Sequence, residues 1–167
     1  MQHATRILVA AERHGRPLAD AVILDYAQRS AQKITVTGAK GGSIEIALHE
    51  PARLRTDDLL LLDDGRLVEV VAAPEPLIET RAGDVAALSR LAWHLGDRHV
   101  PVQVLPNRIR VRREAAIEAL LASLGAKVTM IEAPFEPEGG AYALSHSHDH
   151  DHHHHGHSHS HDHRHDG

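Results

Sequence analysis

The chain has 167 residues, 42% of them hydrophobic, with a net charge of −5 and no cysteine. That is material for one ordinary core or two small ones, and it excludes a disulfide framework, an iron–sulfur cluster and a thiolate metal site. The strong basic field of a general nucleic-acid binder is absent, no apolar run approaches a membrane helix, and Ile7–Ala11 is too short for a signal peptide, so a soluble cytoplasmic protein with no nucleic-acid or membrane partner is expected.

In chain order, alternating or continuous apolar runs predict short strands at Val22–Leu24, Lys33–Thr37, Ser43–Ala47, Leu59–Leu62 and Leu67–Val71. Gly38, Gly41 and Gly42 separate one pair and Asp63-Asp64-Gly65 another, as tight hairpins require. The first 73 residues read as a small antiparallel β domain. Pro74-Glu75-Pro76 then reads as a stiff linker. A strand at Leu77–Arg81 follows, and Asp84 is placed to cap a helix carrying Val85, Leu88, Leu91 and Leu95, with Gly96 as its end. Strands at Val102–Leu105 and Arg108–Val111 flank Pro106-Asn107. A second helix carries Ile117, Leu120, Leu121 and Leu124 and stops at Gly125, before a last strand at Lys127–Ile131. The fold class is therefore α+β: the N-terminal β domain, a ferredoxin-like β-α-β-β-α-β domain over 74–144, and a tail over 145–167.

The composition breaks at Ser145. From there the chain contains only Ser, His, Asp, Gly and one Arg, with nothing to build a core, and is expected to be disordered. It holds 12 of the 17 histidines: His146, His148, His150, His152, His153, His154, His155, His157, His159, His161, His163 and His165. Imidazoles adjacent or one residue apart close small chelate rings at many registers. Imidazole with interspersed carboxylate and no sulfur suits Ni(II), with Zn(II) and Cu(II) as further candidates. Ordering the chain around each ion has an entropic cost, so the tail should hold several ions loosely and exchange them. Interleaved Ser, Asp and Gly set it apart from a purification tag. The tail carries a formal charge of −3 and the body −2, so neither is an electrostatic magnet.

In the body, His3, His14 and His49 lack partner spacing, and Asp57, Asp58, Asp63 and Asp64 read as solvated turn formers. On spacing alone His94 and His99 are surface or capping residues. The Gly38–Ser43 stretch lacks the phosphate-loop spacing, and there is no H-E-x-x-H, G-x-S-x-G or cysteine nucleophile, which makes an enzyme the weaker class.

Two motifs and the tail decide further. His94-Leu95-Gly96-Asp97-Arg98-His99-Val100-Pro101-Val102-Gln103, then Phe135-Glu136-Pro137-Glu138-Gly139-Gly140-Ala141-Tyr142, followed by the histidine-rich end, resemble the UreE family of urease accessory proteins, nickel metallochaperones. The similarity runs in order over nearly the whole chain. It implies an N-terminal domain that contacts protein partners and a homodimer formed through the ferredoxin-like domain. It also implies a shared nickel ligand at His99 from each subunit, and as partners the urease apoprotein and its accessory GTPase. A two-fold axis doubles every ligand near it, which suits an ion that one imidazole cannot saturate. No ligand role is assigned to His94. Some relatives carry further histidines after this motif, where this chain has Arg108, Arg110, Arg112 and Arg113; these read as a solvated face, with a docking patch for an acidic partner as the lesser reading. Two other functions are compatible with the residues: a general divalent-metal buffer without a dedicated client, and a metal-dependent hydrolase with an open metal position beside a pocket.

Overall fold

The computed structural model describes residues 1–8, 13, 15–49 and 52–139. The expected disordered tail, its twelve histidines and His14 lie outside the described residues.

The first half contains β1 (Gln2–Leu8), β2 (Leu18–Leu24), a one-turn helix α1 (Tyr26–Arg29), β3 (Lys33–Thr37), β4 (Ser43–Ala47), β5 (Leu59–Leu62) and β6 (Leu67–Ala72). They form one sheet in the order β2-β6-β5-β1-β4-β3. The two expected hairpins, β3 with β4 and β5 with β6, are antiparallel. The sheet is nonetheless mixed, because β1 runs parallel to β4 and β2 parallel to β6. β1 is absent from the sequence reading, since Gln2–Arg6, the first five of its seven residues, bury only Ala4. The four leucines of β5 sit near the sheet centre; Leu60 and Leu62 join the main core and Leu59 and Leu61 a smaller cluster with Leu8 and Leu67. A continuous apolar run is what a strand covered on both faces needs.

The second half contains β7 (Pro74–Arg81), α2 (Val85–Asp97), β8 (Gln103–Leu105), β9 (Arg108–Arg112), α3 (Ala115–Ser123) and β10 (Lys127–Pro134). Its sheet order is β10-β7-β9-β8, the 4-1-3-2 arrangement of the ferredoxin-like β-α-β-β-α-β fold. Ile78, Ile109 and Val111 meet Leu91 and Leu95 of α2 and Ile117 and Leu121 of α3 in one core. Val85 stands apart from its expected stripe at 81% exposure; at about 100° per residue it falls roughly 60° or more outside the arc of the other three.

Pro74-Glu75-Pro76 is not a linker. It begins β7, with Pro74 opposite Pro134 and Pro76 opposite Glu132. The Pro76 carbonyl accepts from the Arg113 N–H at 3.1 Å, so the backbone groups of Pro76 face away from β10. A missing N–H on that side removes nothing from the β7–β10 ladder, and β9, whose pairing with β7 starts at Leu77, has ended there, so an inner strand tolerates the proline.

Candidate metal centre

α2 starts as the sequence predicts, with the Asp84 carboxylate accepting from the Ala87 N–H at 2.7 Å. Its other end differs from expectation. Gly96 lies inside the helix, and the chain leaves it through Arg98 and His99, the latter at φ +55°. The His99 N–H donates to the Gly96 carbonyl at 2.9 Å and the Val100 N–H to the Leu95 carbonyl at 3.0 Å. This paired closure requires a left-handed residue at the turn, normally glycine. α3 ends with the same pair, Gly125 to Ala122 and Ala126 to Leu121, both 3.0 Å, with Gly125 at φ +70°. One helix thus uses glycine and the other histidine at the same structural position.

A Cβ in that conformation costs about 1–2 kcal/mol. The strain is held because Leu95 and Val100 pack into the core on either side, fixing the turn while the His99 ring is exposed. Replacing His99 by Gly is therefore expected to raise the stability of metal-free protein by about 0.5–1 kcal/mol over His99→Ala, after allowing for the unfolded-state entropy of glycine. Urea unfolding would show it; equal midpoints would mean that the strain only matches the entropic cost of glycine, and a Gly variant less stable than the Ala variant by about that cost would mean the backbone carries no strain.

His94 is half-buried, its ring edge-on to Trp93 at 5.0 Å, and its carbonyl accepts from Arg98 at 3.0 Å. It lines a cleft of about 240 Å³ with Arg81, Arg90 and Lys127, to which His99 does not contribute. His3 lies 3.6 Å from Glu45, and His49 is exposed. Among the described residues no three His, Asp or Glu side chains gather into a metal-holding group. His99 therefore offers one imidazole on a rigid mount, and the tail histidines lie outside the described residues.

The arginines are tied down within the chain. Arg110 and Arg108 reach Glu79 at 3.0 and 3.3 Å, joined by Arg81 at 3.3 Å, on the face of the sheet opposite the helices. Burial alone would raise the Glu79 carboxyl, but the Arg110 hydrogen bond with the Arg108 charge and the Arg81 hydrogen bond outweighs it and holds the group below its ordinary range. Arg112 lies over the Tyr26 ring at 5.3 Å, and Arg113 bonds Glu118 at 2.9 Å. Asp58 is more than a solvated turn former: it accepts from the Arg55 N–H at 2.7 Å, and burial lifts its carboxyl above the usual range. Asp64, by contrast, pairs with Arg66 at the turn as an exposed acid should.

The second motif joins the two sheets. Phe135 is buried, edge-on to Tyr26 at 5.4 Å. Arg29, 0% exposed, donates to the Phe135 carbonyl, to Glu136 at 2.9 Å, and to the carbonyls of Leu24 and Leu54 at 3.2 and 3.3 Å. Sequence reasoning missed Arg29, two of whose partners, Phe135 and Glu136, lie more than a hundred residues away.

Comparison with known proteins adds two matches that together cover most of the chain. The family described as UreE urease accessory protein, N-terminal domain, matches residues 4–73, and its C-terminal domain matches residues 75–165. The chain is 51% identical over 143 residues to the urease accessory protein UreE of Bradyrhizobium sp. (strain ORS 278), covering 86% of this chain and 68% of that protein. It is 51% identical over 130 residues to the protein of that name from Rhodopseudomonas palustris (strain HaA2), covering 78% and 60%. Against that from Beijerinckia indica it is 44% identical over 143 residues, covering 86% and 82%.

Proposed function

The chain belongs to the UreE family of urease accessory proteins, and from that premise we propose that it serves urease maturation as a nickel carrier, binding Ni(II) through histidines and passing it on without catalysing a reaction. In this reading the tail gathers ions, and His99 from each protomer of a dimer, paired through the 74–144 unit, holds one between them. The first 73 residues face the partners, the urease apoprotein and its accessory GTPase, in the cytoplasm. No described helix is long and apolar enough to cross a membrane.

The observation that carries the reading is the conformation of His99. A strained backbone kept where glycine would relieve it marks a side chain retained for what it does. The rigid turn presents the imidazole outward at the end of a helix, and a helix C-terminus favours an approaching cation. A lone imidazole binds weakly enough for ligands to exchange one at a time, as delivery requires.

Equilibrium dialysis against Ni(II) tests it. His99→Ala is expected to lose about one ion per pair of protomers relative to the parent chain, with dimerisation unchanged. Identical nickel content in the two forms would remove His99 from the site.

A further inference from the structure

The residues just before the tail are fastened on both sides. On one, Glu136 accepts from Arg29 at 2.9 Å and from the Thr56 N–H at 3.2 Å, while the Phe135 carbonyl takes the other arm of the same guanidinium. On the other, the Glu136 N–H donates to Gln103 at 3.4 Å and the Glu138 N–H to the Val102 carbonyl at 2.8 Å. Val102 follows His99 by three residues, at most about 11 Å of chain. Eight residues lead from Glu138 to His146, the first tail histidine, a contour of no more than about 28 Å.

We infer that Phe135–Glu138 is a fixed root that starts the histidine tail beside His99, with Glu136, gripped by Arg29, as its positioning residue. The inference rests on the carrier reading above. Its physical content is effective concentration: a short chain anchored near the imidazole makes the second binding step intramolecular. Position of the root, and not tail composition alone, then sets how readily an ion held by the tail is shared with His99.

Moving the root tests this. Trp93 is the only tryptophan, 64% exposed on α2 six residues before His99, so its single indole proton signal reports paramagnetic Ni(II) held there. A Gly/Ser insertion of about 40 residues between Gly139 and Gly140 should raise the Ni(II) concentration for half-maximal broadening about tenfold. The same insertion between Pro134 and Phe135 should change it less than about twofold, because the clamp closes the added segment into a loop at modest entropic cost. Adding Glu136→Ala to that upstream insertion should make it as damaging as the downstream one, whereas Glu136→Gln, which keeps the acceptor oxygen, should not.

Equal shifts from both insertions, or no shift from either, overturn the proposal. The downstream insertion touches none of the described residues, so its result stands even if the upstream form melts early. If His99→Ala leaves the broadening of the parent chain intact, the ion is not at His99 and the carrier site falls, taking the root with it. Loss of broadening in His99→Ala with equal shifts from both insertions removes the root alone.

Discussion

Arg29→Met is expected to destabilise the protein by about 3–5 kcal/mol and to split one cooperative melt into two. Arg29 is the one fully buried charge among the described residues, and its guanidinium satisfies three backbone carbonyls and the Glu136 carboxylate at once. Methionine keeps much of the apolar stem but donates nothing. The carbonyls of Leu54 and Phe135 then lose their side-chain donor, at about 1–3 kcal/mol for each group left buried and unsatisfied, while that of Leu24 keeps the Ala73 N–H at 2.8 Å. Leu54 belongs to the first half and Phe135 to the segment after β10, so the loss falls on the join. Arg29→Lys should recover only part, because one ammonium offers three donors without the planar fork that reaches four acceptors. Calorimetry of the metal-free protein checks this; a single transition at the parent temperature would show that Arg29 does not couple the halves.

Local chemistry made much of the fold legible. The α+β class, the ferredoxin-like order and both expected hairpins follow from periodicity and glycine placement, and Asp84 and Gly125 cap their helices as their positions predict. The misses in strand pairing share a cause, which is that pairing is decided by distant partners. Pro76 is acceptable in β7 because its backbone faces away from β10, and the parallel pairing of β1 with β4 joins strands some forty residues apart. α1 was readable, since Asp25 and Gln28 form a reciprocal capping pair at 2.8 and 3.0 Å. At the candidate site the motif pointed to His99, but its strained turn was hidden by Gly96, a plausible stop three residues early. Only the hydrogen bonds from His99 and Val100 show where the helix closes.

Cutting the chain after Ala143 is expected to remove most of the bound nickel while leaving a folded dimer that retains about one ion per pair. The cut deletes all twelve tail histidines and leaves residues 1–139, with every described strand and helix, in place. Capacity and folding should therefore separate: the number of ions falls several-fold while the melting temperature of metal-free protein stays the same. Unchanged capacity would refute the gathering role of the tail. Acid gives an independent check on the ligand type. Protons compete with metal for imidazole, whose ordinary pKa is about 6.5, so uptake by the full chain should fall steeply below about pH 6. Ionised carboxylates would still bind there, since their pKa values lie near 4. Nickel uptake that holds constant down to about pH 5 would assign the ions to the aspartates between the histidines, whereas a fall through the imidazole range that vanishes with the truncation assigns them to the histidines themselves.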